Sequence, residues 1–227
     1  MRKRPRQWRS GVAAAVLFVL FCGQIGSARA TDPSKMKTIL VFGDSLSAGL
    51  ALSPGQAWPM LLIEKLRPIS PNFRVINASA SGSTTEGGLG RLASHLKNRI
   101  DIFVLELGVN DIFRGIPVEQ TRANLQSIID RVKARNPNVA VVILGMQIPF
   151  AAPDSEYVAS FGKMFTELAE KNHAALVPYL LEGVGGNPKL NLPDRIHPNA
   201  AGHKILAENV WRVLEPIARE VATSGSG

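Results

Sequence analysis

Residues 38–50 read TILVFGDSLSAGL, an apolar segment that closes with a glycine and an aspartate before Ser45. Continuous apolar runs with β-branched members are typical of parallel strands that are buried on both faces. Ser45 therefore follows the end of a predicted core strand, and in open parallel α/β sheets ligands bind at that end of the strands. A serine in this context can also simply turn the chain or cap a helix. Its interpretation depends on which partners the rest of the sequence supplies.

Residues 1–30 have the parts of a cleavable secretory signal peptide. Basic residues precede an apolar run at 12–22, and the sequence ARA at 28–30 matches an A-x-A cleavage site. The apolar run is too short to span a bilayer comfortably, which argues against a retained membrane helix. Cys22 leaves a lipoprotein anchor as an alternative, although the bulky phenylalanine before it makes a poor lipidation site. We expect cleavage near Ala30 and a periplasmic or secreted mature protein.

The leader accounts for most of the apparent positive charge. The full sequence has 26 basic and 18 acidic residues, a net charge of +8, and six of the basic residues but no acidic residue lie in the leader. The mature chain is left with a net charge of +2, which gives no basis for a nucleic-acid partner. Cys22 is the only cysteine. We therefore expect no disulfide, no thiolate metal site and no cysteine nucleophile in the mature chain.

Strand-like and helix-like segments alternate through residues 31–222, which we interpret as one domain followed by a flexible tail at 223–227. Single amphipathic helices between apolar strands indicate right-handed crossovers and a parallel sheet covered on both faces. We predict an α/β fold, a three-layer α/β/α sandwich of about five parallel strands in flavodoxin-like order. The predicted strands are 38–42, 73–78, 100–107, 139–146 and 174–178, and the predicted helices are 57–66, 84–96, 118–135, 157–172 and 199–219.

The segment DRIHP near the C-terminus offers what a reactive serine needs. A serine hydroxyl is a poor nucleophile at neutral pH, so a base must activate it and a third group must orient that base. Asp194 precedes His197 by three residues, a spacing that lets one tight turn hold both side chains. An unperturbed histidine pKa near ~6.5 suits proton exchange around neutrality. A packed loop histidine and a turn-capping aspartate remain the structural alternatives.

Four short blocks together resemble the signature of the SGNH, or GDSL, hydrolase family. They occur in the family's order and their likeness spans essentially the whole mature chain: GDSLS (43–47), SASGST (79–84), GVND (108–111) and DRIHP (194–198). The bacterial secreted arylesterases, lysophospholipases and acyl thioesterases of this family are the branch that the chain resembles. The G-x-S-x-G elbow of α/β-hydrolases is not matched. The resemblance implies ester hydrolysis with Ser45 as nucleophile, His197 as general base and Asp194 as its orienting carboxylate.

The same resemblance implies an oxyanion hole, the set of donors that stabilises negative charge on the attacked carbonyl oxygen. We expect its donors to be the backbone N–H groups of Ser45 and Gly82 and the side-chain amide of Asn110. Asp44 and Asp111 are interpreted as carboxylates that hold their own loops. The four histidines lack metal-binding spacing, so we expect no metal and no cofactor.

The segment at 147–157 follows the fourth predicted strand and is apolar at 148–152, and we expect Ile148, Pro149 and Phe150 to contact substrate. Ordinary loop packing is the alternative for these three. Together with the resemblance, the segment favours a small-molecule or lipid ester: short- to medium-chain acyl or aryl esters, with lysophospholipids and acyl thioesters as further substrates. A carbohydrate O-acetylesterase and a non-catalytic periplasmic binding module are the competing functions. We expect a monomer whose contact with membrane lipid is at most transient.

Overall fold

The computed structural model describes residues 36–147 and 156–224. Five parallel strands form one sheet: β1 (Lys37–Gly43), β2 (Phe73–Asn77), β3 (Ile102–Glu106), β4 (Ala140–Leu144) and β5 (Ala175–Val177). Their order is β2-β1-β3-β4-β5. This is the flavodoxin-like order that the alternation of strands and helices predicted.

Helices connect the strands and cover the sheet: α1 (Ser45–Ala48), α2 (Trp58–Leu66), α3 (Thr85–His95), α4 (Val109–Phe113), α5 (Val118–Arg135), α6 (Glu156–Asn172) and α7 (Ala200–Thr223). Helix α2 packs against α7, while α5 contacts both α3 and α6. The apolar faces of these two groups are buried against the sheet. The predicted three-layer α/β/α sandwich is therefore confirmed.

The centre of the sheet brings three loops to one edge. Strand β3 is buried along its whole length and pairs with β1 on one side and β4 on the other. The register sets Gly43 beside Glu106, and Val41 beside Asn77 at the end of β2. Because parallel strands end at the same edge, the loops after β1, β2 and β3 begin next to one another. These loops carry the first three sequence blocks.

Helix α7 is longer than predicted. Asn199 caps its start by accepting from the backbone N–H groups of Ala201 and Gly202 at 2.9 and 3.1 Å. The helix continues to Thr223, past the predicted end at residue 219 and into the first residue of the expected tail. Val221 and Ala222 pack against the core, and this burial favours the extra turn. Within the described ranges, no helix has the length and apolarity needed to cross a bilayer.

Candidate active site

Ser45 lies at the first turn beyond the sheet edge. Asp44 caps α1 by accepting from the Leu46 backbone N–H at 3.0 Å, and Gly49 ends the helix in the left-handed conformation. Ser45 is only 7% exposed, so its hydroxyl faces a sheltered space. A side chain at Gly43 would meet the Glu106 carboxylate at 2.5 Å. Glycine is therefore required immediately before the Asp44-Ser45 turn.

The structure brings the Ser45 hydroxyl, the His197 ring and the Asp194 carboxylate into one line of hydrogen bonds. His197 Nε2 lies 2.9 Å from Ser45 Oγ, and His197 Nδ1 lies 2.7 Å from Asp194 Oδ2. Because an ionised carboxylate can only accept, Nδ1 carries the proton and Nε2 is free to accept from the serine. This is the arrangement in which an imidazole can remove a hydroxyl proton.

The turn at 194–197 is held by Asp194 itself. Its Oδ1 accepts from the backbone N–H groups of His197 and Ile196, at 3.0 and 2.9 Å. The hydrogen bond from the His197 backbone is the main reason that the pKa of Asp194 falls to about 2. The base of the loop is closed by Leu192 N–H donating to the His197 carbonyl at 2.7 Å. Asp194 therefore stays ionised and fixes both the ring and the backbone of His197.

The predicted oxyanion donors lie on three loops that converge at this edge. Asn110 Nδ2 donates to Asp44 Oδ2 at 2.9 Å, which joins the third sequence block directly to the first. Gly82 has φ +75°, a conformation that favours glycine, and its segment is attached to the end of β1 by the Ala80 N–H bond to the Gly43 carbonyl. Asn110 shares a cavity with Ser45. Gly82 is not among the residues that line it.

Glu106 is a buried carboxyl group that the sequence analysis did not single out. Its Oε2 accepts from Ser47 Oγ at 2.7 Å and from the Asp44 backbone N–H at 3.1 Å, and the residue is 2% exposed. Burial and the neighbouring Asp44 carboxyl raise the pKa of Glu106 well above its ordinary value. A lone glutamate in the apolar run IFVLE is the signal that was available, because a buried carboxyl group requires partners.

Asp44 and Asp111 hold their loops, as the sequence analysis proposed. Burial raises the pKa of Asp44 to about 6, and the bonds from Leu46 and Asn110 limit that rise. Asp111 is fully buried and accepts from the Thr85 backbone and hydroxyl at 2.9 and 2.5 Å. These bonds join the start of α3 to α4. Neither aspartate is among the residues that line the cavity beside Ser45.

Arg91 stabilises the sheet edge that carries Ser45 by binding the backbone at the ends of β1 and β2. Its Nη2 donates to the Gly43 carbonyl at 2.8 Å, and its Nη1 donates to the Ala78 carbonyl. The guanidinium lies 3.8 Å from the centre of the Phe42 ring, a cation–π contact. One cation therefore ties together the ends of β1 and β2 and lies close to the buried carboxyl groups of Asp44 and Glu106.

A largely apolar cavity of about 480 Å³ opens beside Ser45 and His197. Phe113 and Ile196 lie in its wall and are 51% and 43% exposed. Its lining residues are Ser45, Leu46, Val109, Asn110, Phe113, Met146, Gln147, Tyr179, Leu181, Gly185, Gly186, Arg195, Ile196 and His197. The expected substrate contacts Ile148, Pro149 and Phe150 lie outside the described residues. Met146 and Gln147, which immediately precede them, do line the cavity.

His203 lies on the buried side of α7. It is 1% exposed, and its Nδ1 accepts from the Trp58 backbone N–H at 3.1 Å. Burial lowers the pKa of His203 to about 4. Among the described residues, no group of three or more histidine, cysteine, aspartate or glutamate side chains is arranged to hold a metal ion.

Comparison with known proteins places this geometry in a family. The model of the GDSL-like Lipase/Acylhydrolase family matches residues 41–205. Esterase TesA of Pseudomonas aeruginosa is 39% identical over 202 residues, which cover 88% of this chain and 98% of TesA. Thioesterase 1/protease 1/lysophospholipase L1 of Escherichia coli K12 is 36% identical over 181 residues, with coverage of 79% and 84%. An arylesterase of Vibrio mimicus is 35% identical over 179 residues, with coverage of 78% and 87%.

Solved structures give the same result. The crystal structure of TesA superimposes with a TM-score of 0.74 at 40% identity, covering 80% of this chain and 99% of the other. The psychrotrophic esterase EstA from Pseudoalteromonas, in a form inhibited by monoethylphosphonate, superimposes with a TM-score of 0.72 at 29% identity, covering 79% and 97%. Both proteins therefore share the fold described above.

Proposed function

Because this chain belongs to the GDSL-like lipase/acylhydrolase family and is a serine ester hydrolase, we propose that Ser45 is its nucleophile. The observation that supports this most directly is the 2.9 Å contact between Ser45 Oγ and His197 Nε2. Asp194 is the orienting group, since its carboxylate accepts from Nδ1 at 2.7 Å. Ser45 is also the only serine among the described residues that line the cavity.

The reaction follows from the positions of these atoms. Ser45 Oγ attacks the carbonyl carbon of the ester while His197 Nε2 takes the hydroxyl proton. The tetrahedral intermediate collapses, the bond to the leaving group breaks, and Nε2 returns the proton to the departing oxygen or sulfur. Water then attacks the acyl-enzyme, with His197 again accepting a proton, and the carboxylic acid is released as Oγ recovers its hydrogen.

Negative charge on the carbonyl oxygen is stabilised by donors on the neighbouring loops. We assign this role to the Ser45 and Gly82 backbone N–H groups and to the Asn110 amide. The Asn110 bond to Asp44 supports the assignment, because a carboxylate accepts only and so holds the amide nitrogen, not the oxygen, at the Ser45 loop. The second N–H of that nitrogen remains available for substrate. We expect loss of the Asn110 amide to lower kcat about 10²- to 10³-fold.

The substrate class is supported by the cavity and by the relatives. An apolar volume of about 480 Å³ suits an acyl chain or an aryl group better than a sugar. The relatives are named as an esterase, an arylesterase, and a thioesterase and lysophospholipase. We propose short- to medium-chain acyl or aryl esters as substrates, together with lysophospholipids and acyl thioesters. Ile148, Pro149 and Phe150 follow the lining residues Met146 and Gln147 in the sequence and are proposed substrate contacts.

The compartment is proposed from the leader alone. The basic start, apolar run and ARA site of residues 1–30 support export and cleavage near Ala30. The enzyme then acts in the periplasm or outside the cell. We propose that it works as a monomer and contacts membrane lipid only transiently.

The decisive test compares the mature protein with its Ser45→Ala variant on a series of nitrophenyl acyl esters. We expect the variant to lose activity by at least about 10³-fold while its thermal unfolding is unchanged, because the nucleophile is removed without a large change in packing. Asp194→Asn is the companion variant, with a loss of about 10⁴-fold expected from the wrong histidine tautomer. Equal hydrolysis by Ser45→Ala and the parent would contradict the nucleophile assignment.

A further inference from the structure

Arg195 occupies the turn between Asp194 and His197 in a conformation that favours glycine. Its φ is +61°, in the left-handed region where long side chains are uncommon. The turn imposes this conformation, because Asp194 Oδ1 binds the N–H groups of both Ile196 and His197. Glycine would adopt this backbone conformation with less strain than arginine. The presence of arginine at this position points to a role for its side chain.

The surroundings of Arg195 show what that role can be. It lines the cavity beside Ser45 and His197, and it is the only permanently charged residue among the described lining residues. Arg195 is exposed, and its guanidinium makes no hydrogen bond or ion pair with any residue in the part of the chain that the structure describes. Its five N–H donors are consequently available to a bound molecule.

The chemistry of the site indicates which part of a substrate passes Arg195. His197 Nε2 must donate a proton to the leaving atom, so the leaving group lies on the side of the 194–197 turn. Arg195 is two residues before His197 on that turn. The same cavity is also lined by apolar side chains that suit an acyl chain, among them Val109, Phe113 and Leu181.

We propose that Arg195 is a specificity-determining residue that binds a phosphate carried by the leaving group of the ester or thioester. Guanidinium groups bind phosphate oxygens through paired, charge-assisted hydrogen bonds, which lysine cannot reproduce in the same geometry. Two kinds of substrate share this chemistry: thioesters of a phosphate-bearing thiol and esters of glycerol phosphate. The inference rests on the proposed function, since it takes the direction of the leaving group from the role of His197.

The test uses two matched pairs of substrates that differ only in phosphate. Octanoyl-4′-phosphopantetheine is compared with octanoyl-pantetheine, and a lysophosphatidic acid is compared with the monoacylglycerol of the same chain. We measure kcat/KM for the mature protein and for Arg195→Gln. We expect Arg195→Gln to lower kcat/KM about tenfold on the phosphate-bearing members, as loss of a charge-assisted hydrogen bond predicts. The neutral members should be hydrolysed at unchanged rates, and added KCl should weaken the parent's preference but not the variant's.

Three further variants separate binding from backbone effects. Arg195→Gly removes the side chain and relieves the left-handed strain, so it should show the same selective loss with a raised Tm. Arg195→Lys should retain part of the preference, because it keeps the charge but not the planar donor set. Arg131→Gln removes an exposed cation on α5 that does not line the cavity, and it should leave both pairs unaffected.

Each outcome bears on the proposal. A selective loss on octanoyl-4′-phosphopantetheine alone or on lysophosphatidic acid alone supports it and identifies which phosphate source is bound. Equal losses on phosphate-bearing and neutral members, or no loss on either pair, would overturn it. Normal hydrolysis of the neutral members together with no effect of Arg195→Gln would reject only this inference. Failure of the parent on all four substrates would instead reject the proposed function.

Discussion

At the scale of single residues, Asp44 and Glu106 place two buried carboxyl groups beneath the loop that carries Ser45. The pKa of each is raised, Asp44 to about 6, because burial disfavours the charged form. Their hydrogen bonds indicate which of the two groups is ionised. Asp44 accepts from the Asn110 amide and the Leu46 N–H, which suits an ionised group, whereas Glu106 needs only Oε2 to accept from Ser47 and the Asp44 backbone. We infer that Glu106 is the protonated member at neutral pH.

Glu106→Gln tests this division of charge. Glutamine keeps an acceptor oxygen and is neutral, so kcat/KM on a nitrophenyl ester should stay close to that of the parent at pH 7. A carboxyl group whose folded pKa is raised contributes stability that is present below its unfolded pKa and is lost as pH rises through the folded pKa. Glu106→Gln has no carboxyl group at this position, so it does not lose this stability as pH rises. Urea unfolding should therefore show Glu106→Gln gaining on the parent as pH rises from 5 to 9.

Glu106→Ala is the matched comparison at the same position. It removes the acceptor for Ser47 Oγ and the Asp44 N–H, and leaving buried donors unsatisfied costs about 1–3 kcal/mol of unfolding free energy. A Glu106→Gln variant that loses activity as severely as Glu106→Ala at pH 7 would mean that an ionised Glu106 is required. That result would contradict the assignment of the proton.

At the scale of a structural element, α3 depends on one glycine among the three in GGLG. A side chain at Gly88 would meet Leu107 Cδ1 at 2.6 Å and Phe42 at 3.3 Å, so a larger residue there would force the buried Leu107 side chain to move. Gly90 lies on the exposed face of the same helix, with open space where a side chain would be. Thr84, which caps α3, follows the Gly82 segment directly. The distance between α3 and the sheet therefore affects the position of the Gly82 segment.

Gly88→Ala and Gly90→Ala, both in α3, should therefore change the free energy of unfolding in opposite directions. Gly88→Ala overpacks the core and should lower the free energy of unfolding by about 1–3 kcal/mol. Gly90→Ala should raise it by roughly 0.5–1 kcal/mol, because alanine has the higher helix propensity. Chemical unfolding of the two variants measures both effects. Equal stabilisation by the two substitutions would show that the close approach of α3 is not required.

At the scale of the whole molecule, His203 joins the first and last parts of the fold. Its ring accepts from the Trp58 backbone at the start of α2, and α2 packs against α7. A histidine with a folded pKa of about 4 is neutral in the folded protein over a range in which the unfolded chain binds a proton. Stability therefore falls as pH drops from 6.5 towards 4. The loss amounts to roughly 3 kcal/mol if the full shift from the ordinary histidine pKa applies.

His203→Asn should remove this part of the acid sensitivity, since its Oδ1 replaces Nδ1 as an acceptor and does not titrate. Urea unfolding at pH 7, 5.5 and 4 should show the parent losing stability relative to the variant at each step. The raised pKa of Asp44 acts in the opposite direction over this range, but it is common to both proteins and cancels. His173→Asn, at an exposed histidine with φ +50°, is the control and should keep the parent's pH dependence.

The sequence predicted the sheet because the apolar runs were continuous and their spacing was regular. It also indicated the partners of Ser45, since Asp194 and His197 are three residues apart and share one turn. It did not indicate Glu106 or the burial of His203. Both are polar residues at positions where local pattern favours an ordinary strand or helix, and their partners, Ser47 and Trp58, are far away in sequence. Such contacts depend on packing between elements, which local periodicity does not encode.

The hydrogen bond between Ser45 and His197 joins residues 152 positions apart. A ribosome delivers the hydroxyl early and the imidazole late, and the chain must then fold before the two can meet. An unfinished or incompletely folded polypeptide therefore lacks the contact on which the proposed nucleophile depends. Ester substrates are consequently exposed to this hydrolase only once its synthesis and folding are complete.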